Sequence, residues 1–345
     1  MDTMDLPVAP PVDPMLAKAA VKVPSGDWSY EPKWDGFRAI VFRDGDEITL
    51  QSRTGKPLGR YFPELLAALR AEIAPRCVLD GEVVVPRQIG GRTRLDWESL
   101  SQRIHPAASR VALLAEQTPA HFIGFDALAT GSAALLDEPF GVRREALAEL
   151  VTGGVSCHVT RATADPEQAT RWLTTFEGAG LDGVVAKRTD GPYLPGKRDM
   201  VKVKHQRDAD CVVMGYRIHK SGNGIGSLLL GLYTPDGELV MVGGSSAFTD
   251  ADRLTLLAQL EPLRLGEVRE GEPSRWNTGP DKADKQWVPI RPERVAEVAY
   301  DQMEGSRFRH TVKLLRWRPD RDPTSCTFDQ LDIPLNYDLA DVLEA

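Results

Sequence analysis

The pattern of hydrophobic residues changes near Arg207, and this change constrains the fold more than any other feature of the chain. Before Arg207, short alternating runs are mixed with stretches of helical spacing such as Phe62–Ile73. After it, short strand-like runs follow one another with a single helical stretch, Asp250–Leu260. The chain has 345 residues, too many for one small domain, so we predict two domains, at 1–206 and 207–345.

The second predicted domain consists mostly of strands. Its strand-like runs are Cys211–Tyr216, Gly226–Tyr233, Leu239–Gly244, Val295–Tyr300 and Val312–Trp317. Short strands with one helix in a small domain are typical of a β-barrel of the OB type. The polar segment Gly266–Lys285 predicts a long loop.

Charge and cysteine content limit the class of protein. The net charge is −8, which alone argues against a nucleic-acid partner, but basic residues concentrate in Gly183–Gly231 and Gly305–Arg321. The N-terminus lacks the apolar core of a signal peptide, and no apolar run is long enough to span a membrane. The four cysteines are far apart and form no Cys-x-x-Cys pair, which predicts reduced thiols in a cytoplasmic protein.

A lysine stands at a predicted turn between two strands, in the segment Glu31–Arg38. An exposed lysine at a turn is common, so the sequence Lys33-Trp34-Asp35-Gly36 indicates little by itself. To act as a nucleophile, Lys33 would need a pKa below the ordinary value of about 10.4. Burial or neighbouring cations would have to lower it.

Two further pairs of charges predict a binding site. Asp80 and Glu82 lie within an apolar strand, where a carboxylate is costly unless a cation or a polar group binds it. Lys202 and Lys204 alternate along another strand and therefore point to one face. Two adjacent ammonium groups repel each other unless an anion, such as a phosphate, lies between them. Such a positive site would also depress the pKa of Lys33.

The order of these motifs resembles the covalent nucleotidyltransferase superfamily, which includes ATP-dependent DNA ligases, RNA ligases and mRNA capping enzymes. The motifs are Lys33–Arg38, Ser52–Gly55, Asp80–Glu82, Phe125–Asp126, Asp182–Lys187 and Val201–Lys204. Three C-terminal segments look like the ligase module of bacterial end-joining ligases and their stand-alone relatives: Val295–Tyr300, Arg307–His310 and Leu315–Arg321. The resemblance implies an α+β chain, with a nucleotidyltransferase domain of ATP-grasp-like antiparallel sheets and helices before a smaller OB-fold barrel.

The resemblance also implies a covalent mechanism with ATP. Lys33 would attack the α-phosphate, release pyrophosphate with Mg²⁺ or Mn²⁺, and pass AMP to the 5′-phosphate of a nick in duplex DNA, which the 3′-hydroxyl then seals. Glu31 would lie near the adenine amino group, Phe125 would stack on adenine, and Glu82 would accept from the ribose. Lys202, Lys204 and Arg198 would hold the α-phosphate, and Arg38 and Arg53 would contact the ribose or the 5′-phosphate.

The implied metal site departs from the family at one position. Asp182 stands where the family usually has a metal-binding glutamate, and Asp35, Asp80 and Glu82 are further candidates. Magnesium prefers one or two carboxylates with phosphate oxygens, so we expect no complete protein cage. In the C-terminal motif Arg-x-Asp-Lys, Arg318 would face pyrophosphate, and Arg321 replaces the lysine.

The resemblance further implies a monomeric bacterial enzyme that acts on nicked double-stranded DNA in repair, replication or recombination. It would be cytoplasmic, associated with the nucleoid when bound to DNA, and recruited by repair proteins that the sequence does not identify. We expect a hinge near His205–Asp208. The loop Gly266–Lys285 would clasp DNA or form an ordinary surface loop.

Two alternatives remain at this point. One is an RNA ligase or a GTP-using capping-type enzyme of the same superfamily. The other is a non-catalytic nucleic-acid binder, with an OB barrel beside an inactive nucleotide-binding domain. The segments Val295–Tyr300 and Trp317–Asp320 favour a DNA ligase. Activity is favoured by an intact set of residues: Lys33, Glu82, Lys202 and Lys204.

Overall fold

The computed structural model describes residues 4–205, 207–270, 286–331 and 337–343. The chain divides into two compact units: unit 1 comprises Met1–His205 with Pro334–Ala345, and unit 2 comprises Gln206–Ile333. The sequence analysis placed a boundary between 206 and 207 and assigned the whole C-terminal segment to the second domain. The structure differs in that the tail from Pro334 onward groups with unit 1.

Unit 1 is built from two main sheets and several helices. Its strands are β1 (Leu16–Ala20), β2 (Trp28–Pro32), β3 (Phe37–Asp44), β4 (Glu47–Ser52), β5 (Arg76–Val84), β6 (Pro86–Ile89), β7 (Arg92–Leu95), β8 (His121–Thr130), β9 (Ala133–Ala134), β10 (Cys157–Val159), β11 (Val184–Arg188) and β12 (Arg198–Val203). Its helices before the tail are α1 (Pro63–Glu72), α2 (Trp97–Gln102), α3 (Ala108–Gln117), α4 (Phe140–Leu150) and α5 (Pro166–Thr175). The smaller sheet has the order β1-β12-β11-β2, and the larger has the order β10-β8-β5-β3-β4, with β9 on β8.

Alternation along β3 gives the larger sheet two different faces. Val41 packs in a core with residues of α1 and α4, whereas Ile40 packs in a second core with Met200 of the smaller sheet. Arg38 lies two residues from Ile40 and therefore on the same face, opposite Glu82 of β5 in the strand register. The polar residues of the larger sheet thus face the smaller sheet, and this arrangement creates the cleft described below.

Unit 2 is dominated by an antiparallel sheet. Its elements are β13 (Arg207–Ile218), β14 (Ile225–Tyr233), β15 (Leu239–Ser245), α6 (Asp250–Leu260), β16 (Arg269–Glu270), β17 (Gln286–Pro289), β18 (Val295–Tyr300), β19 (Met303–Glu304), β20 (Arg307–Phe308) and β21 (Lys313–Trp317). One edge of β13 pairs with β14, while the other pairs first with β18 and then with β17. The sheets and helices of the two units confirm the predicted α+β class. In the described part of unit 2, the strand pairing does not close into a barrel.

The C-terminal tail returns to unit 1 after unit 2 is complete. It carries the short helix α7 (Leu339–Leu343), whose Leu339 and Val342 are buried in the same core as Trp34 and Phe176. The rings of Phe176 and Tyr337 lie 5.3 Å apart. Because this apolar helix finds its partners in unit 1, the tail belongs to that unit.

Two predicted features fall partly outside the described residues. Most of the loop Gly266–Lys285, namely 271–285, lies there, and so does residue 206 of the expected hinge. Both remain predictions. Across the helices that the structure describes, none has the length and hydropathy needed to cross a membrane.

Candidate active site

A cleft between the two sheets of unit 1 brings together most of the residues that the sequence analysis selected. Those that line it are Glu31, Lys33, Arg38, Arg53, Glu82, Phe125, Arg198 and Lys202. Asp182 and Lys204 lie next to the cleft, because Asp182 contacts both Lys33 and Lys204. Asp35 follows Lys33 by two residues without lining the cleft, and Arg318 belongs to unit 2.

The backbone of Lys33 is fixed by hydrogen bonds to the segment before β11. Its N–H donates to the carbonyl of Gly183 at 2.8 Å, and its carbonyl accepts from the N–H of Asp182 at 3.0 Å. Gly183 has a φ of +135°, and a Cβ there would lie 2.1 Å from the carbonyl oxygen of Val203. Only glycine fits this close approach of strands. The Asp-Gly pair therefore holds the nucleophile candidate in register with β11.

The side-chain amine of Lys33 is held by a carboxylate. Its Nζ lies 2.7 Å from Asp182 Oδ2, and the same oxygen lies 2.9 Å from Lys204 Nζ. The anion between these two lysines is thus a protein carboxylate. Lys202 instead lines the cleft, where burial and the charges of Lys33 and Lys204 lower its pKa. The lysines create a positive region at this end of the cleft.

A buried carboxylate, that of Glu31, lines another part of the cleft, and this residue is 2% exposed. Its Oε2 lies 3.0 Å from Lys187 Nζ, and its Oε1 lies 3.3 Å from Arg144 Nη1. Burial raises the pKa of Glu31, while Lys187 and Arg144 oppose that rise. The aromatic ring of Phe125 is close by, since Lys187 Nζ lies 4.8 Å from its centroid. A buried carboxylate beside an aromatic face is suited to bind a planar base that carries an amino group.

Arg144 is a site residue that was not predicted, and Lys187 was predicted only as the end of the motif Asp182–Lys187, without a role of its own. A signal for Lys187 exists, because it is a lysine directly after the apolar run Val184–Ala186 in a strand, and it is 3% exposed. Arg144 lies on α4, 113 residues from Glu31 in sequence, and no local pattern distinguishes it from the neighbouring arginine.

Of the two carboxylates predicted to need a cation or a polar group, Asp80 is found paired with a cation. Arg38 donates to Asp80 through Nε at 2.5 Å and Nη2 at 2.6 Å, and the Tyr193 hydroxyl donates to Asp80 Oδ2 at 2.6 Å. Burial opposes the charge of Arg38, but Asp80 raises its pKa overall. Burial also raises the pKa of Glu82 to about 7, against the lowering effect of Arg38 and Lys33. Glu82 is therefore poised to titrate near neutral pH.

No metal cage is present within the described ranges, since no group of three or more His, Cys, Asp or Glu side chains is placed to hold an ion. Asp80 is occupied by Arg38 and Tyr193. Glu82 lines the cleft, and Asp182 binds the two lysines beside it. This donor set fits a metal whose coordination is completed largely by phosphate oxygens.

Arg318 of unit 2 lies among carboxylates. Its Nη1 is 3.0 Å from Asp210 Oδ2 and 3.2 Å from Glu297 Oε2, and its Nη2 is 2.9 Å from Asp320 Oδ2. The hydrogen bond that Arg318 donates to Asp320 and the charge of Asp210 outweigh desolvation and raise the pKa of Arg318. Arg321 Nε lies 3.5 Å from Asp210 Oδ2. The guanidinium groups of the C-terminal motif are thus oriented by acidic neighbours.

A nucleophile candidate in a cleft with a base-binding end and a phosphate-binding end defines the class of nucleotidyltransferases. Residues 11–204 match the family described as the ATP dependent DNA ligase domain, and residues 221–321 match the ATP dependent DNA ligase C terminal region. The chain belongs to the ATP-dependent DNA ligase family.

Individual relatives agree with this assignment. The chain is 74% identical to DNA ligase C1 of Mycolicibacterium smegmatis, with 99% of each chain covered. It is 29% identical to the multifunctional non-homologous end joining protein LigD of the same organism, over 92% of this chain and 39% of that protein. A solved structure titled as a study of Lig E DNA ligases has the same fold, with a TM-score of 0.54 at 17% identity, covering 88% of this chain and 98% of that one. The resemblance to end-joining ligase modules and their stand-alone relatives is therefore confirmed.

Proposed function

We propose that this chain seals nicks in double-stranded DNA with ATP, through AMP bound covalently to Lys33. The observation that carries the proposal is that Lys33 lines one cleft together with residues suited to bind a base and residues suited to bind phosphates. At one end, the buried Glu31 carboxylate lies beside the ring of Phe125. At the other end, Arg53 and Lys202 supply positive charge for phosphates.

The base-binding end favours ATP over GTP. A carboxylate only accepts hydrogen bonds, and the exocyclic amine of adenine donates them. The carbonyl oxygen that guanine has at that position would meet Glu31 as acceptor against acceptor. With Phe125 stacked on the base and Glu82 accepting from the ribose, the nucleoside is held by three different kinds of contact.

In the first step, Lys33 Nζ forms a bond to the α-phosphorus of ATP, and the bond from that phosphorus to pyrophosphate breaks. The amine must lose a proton to react and becomes an uncharged phosphoramide nitrogen. Lys202, Lys204 and Arg198 neutralise the phosphate charge, and catalysis is mainly positioning and electrostatic stabilisation. Since Lys33 is no longer cationic afterwards, Asp182 loses one of its two ammonium partners.

We place Mg²⁺, or Mn²⁺ in its stead, at Asp182 and Glu82, with Asp35 as a further candidate. The ion would neutralise phosphate charge and assist departure of pyrophosphate. Asp182 is the best supported of these residues, because its carboxylate becomes partly available when the charge of Lys33 disappears. Phosphate oxygens would supply the remaining ligands.

The later steps use the DNA. An oxygen of the 5′-phosphate at the nick attacks the phosphorus of the bound AMP, and Lys33 leaves and regains its proton. The 3′-hydroxyl then attacks the activated 5′-phosphate, and AMP departs. Arg38 and Arg53 would contact the ribose or the 5′-phosphate, while Arg318 would contact pyrophosphate from the second domain in the first step.

We also propose the biological setting that the resemblance implied. The chain would act as a monomer of two domains, joined near His205–Asp208, in bacterial DNA repair. The cysteines Cys77, Cys157, Cys211 and Cys326 are all buried free thiols, which supports a reducing cytoplasm, with nucleoid association through DNA.

The test is covalent labelling with ATP carrying a label on the α-phosphate, followed by denaturation. We expect label on the wild-type chain with ATP and not with GTP, and none on Lys33→Ala. Lys56→Ala is the matched control, because Lys56 is an exposed lysine outside the cleft. Label on Lys33→Ala equal to that on Lys56→Ala would refute the covalent role. Labelled wild type that fails to seal a nicked duplex would refute the DNA substrate alone.

A further inference from the structure

Arg144, on the helix α4, holds the buried carboxylate of Glu31 from behind the cleft of unit 1. Its Nη1 lies 3.3 Å from Glu31 Oε1, and its Nη2 donates to the backbone carbonyl of Thr160 at 2.8 Å. The Arg144 side chain is 27% exposed and is not among the described residues that line the cleft. Any effect of Arg144 on a bound nucleotide must therefore pass through Glu31.

Thr160 anchors Arg144 and also the residue that follows Lys33. Its carbonyl accepts from Arg144, and its hydroxyl accepts from the indole N–H of Trp34 at 2.7 Å. Thr160 is 1% exposed, so these hydrogen bonds are made away from water. The two sides of the lysine motif, Glu31 before Lys33 and Trp34 after it, are thus tied to one buried residue.

The other cation beside Glu31, Lys187, is shared by two carboxylates. Its Nζ lies 3.0 Å from Glu31 Oε2 and 3.7 Å from Asp126 Oδ2. Arg143, the neighbour of Arg144 on α4, pairs with Asp126 through Nε at 2.7 Å. Glu31 and Asp126 thus meet several cations here, and Arg144 is the cation whose carboxylate partner is Glu31.

The charge state of Glu31 decides which base the cleft can hold. An ionised carboxylate only accepts hydrogen bonds, whereas the protonated acid can also donate one. The acid would donate to a carbonyl at position 6 of a purine, and the distinction from the amino group of adenine would weaken. Burial raises the pKa of Glu31 and Asp126 adds to this rise, while Lys187 and Arg144 oppose it. Loss of Arg144 therefore favours the protonated acid.

We propose that Arg144 is a positioning residue that determines the preference for ATP, because it keeps the Glu31 carboxylate charged and oriented to accept from the amino group of adenine. This inference deepens the proposed function and rests on it. Since Arg144 does not line the cleft with Lys33, its replacement should change the KM for a nucleotide and leave the maximal labelling rate nearly unaltered.

The experiment compares self-labelling of wild type, Arg144→Gln and Arg144→Lys with ATP and, separately, with ITP, each labelled on the α-phosphate. ITP carries a carbonyl where ATP has its amino group, and it lacks the second amino group of GTP. At pH 7 we expect the preference for ATP over ITP, as a ratio of kcat/KM values, to fall about tenfold in Arg144→Gln, the difference between a charge-assisted and a neutral hydrogen bond. Arg144→Lys keeps the charge and should retain most of the preference.

A pH series adds a readout that a purely structural role of Arg144 would not change. In Arg144→Gln the pKa of Glu31 should rise, so the preference for ATP should be recovered only at a higher pH than in wild type. Titration of Glu82 cancels in the ratio, because both nucleotides carry the same ribose. Arg171→Gln is the matched control: it removes an equal charge from the exposed side of α5, where Arg171 lies 3.6 Å from Asp165.

The outcomes distinguish this inference from the proposed function. If Arg144→Gln kept the nucleotide preference and pH profile of Arg171→Gln, the inference would be overturned, while label from ATP would still support the covalent chemistry. A loss of preference in Arg144→Lys as large as in Arg144→Gln would also overturn it, because the charge would then not be what Arg144 supplies. Wild type that takes no label from ATP would refute the proposed function itself.

Discussion

The clefts of the two units differ in the charges of the residues that line them. In unit 1, Glu31, Glu82, Lys187 and Lys202 line one cleft, so that both signs of charge are present within a few ångströms. In unit 2, a second cleft on the face of β13, β14 and β15 has a basic lining without a carboxylate, which includes Arg217, Arg307 and His310. A cleft with both signs discriminates between ligands by the pattern of donors and acceptors. A cleft with one sign attracts any polyanion, and salt weakens that attraction.

Among the substitutions that test this comparison, the largest expected effect is on the free energy of unfolding. Asp126→Asn in unit 1 leaves Arg143 and Lys187 without the carboxylate that they share, and Asp126 and Arg143 are each 1% exposed as side chains. We expect a loss of about 3–5 kcal/mol in the free energy of unfolding, as for other buried pairs broken on one side. Urea unfolding measures it. Arg307→Gln in unit 2 should cost less than about 0.5 kcal/mol, and equal losses in the two variants would contradict the comparison.

A smaller effect is expected on nucleotide binding. Phe125→Leu removes the aromatic face of the unit 1 cleft, and aromatic stacking contributes about 1 kcal/mol beyond simple burial. We expect the KM for ATP in self-labelling to rise about five- to tenfold, since 1.4 kcal/mol corresponds to a factor of ten. Sealing of a nick that already carries AMP should be much less affected. Met241→Leu, a change of similar size in the unit 2 cleft, should leave this KM unaltered.

The smallest predicted effect is a pH dependence confined to the unit 1 cleft. Burial raises the pKa of Glu82 to about 7, so the group is mostly protonated at pH 6 and mostly ionised at pH 8. The ionised form accepts from ribose hydroxyls without competing as a donor, so the KM for ATP should fall a few-fold as the pH rises through 7. Self-labelling at pH 6, 7 and 8 measures this change. In Glu82→Gln this fall in KM should disappear. If Glu82→Gln kept the pH profile of wild type, the titrating group would be another residue.

Local patterns predicted the regular elements of the fold well. The helix Asp250–Leu260 and the strand Val295–Tyr300 occur with the predicted bounds. The helix is capped by Thr249, whose side chain forms a capping box with Asp252, a signal that is fully local. The strand β1 was not predicted, and Leu16–Ala20 contains no β-branched residue. Its pairing with β12 outweighs its weak strand propensity.

The residues of the site were predictable where one short motif supplies several of them. They were less predictable where two contacting residues are far apart in sequence. The motif Asp182–Lys187 places Asp182 against Lys33, next to the cleft, and Lys187 in the lining of the cleft. The Arg38–Asp80 pair spans 42 residues, and the sequence indicated only that Asp80 needs a cation. Arg38 was instead expected to contact the ribose or the 5′-phosphate, and that role remains a proposal. The helices α2 and α3 were not predicted; α2 has only 6 residues, too few to show a helical period.

Because the C-terminal tail returns to unit 1, unit 2 is inserted between two sequence segments of unit 1. Leu339 and Val342 complete the core beneath Trp34, the neighbour of Lys33. A fragment that stops at His205 would therefore keep every residue of the nucleotide cleft and still lack part of the wall behind it. Removing the helix Leu339–Leu343 would therefore disturb the core next to Lys33, although the two lie far apart in sequence. The core of the catalytic unit is therefore completed by residues that follow unit 2 in the chain.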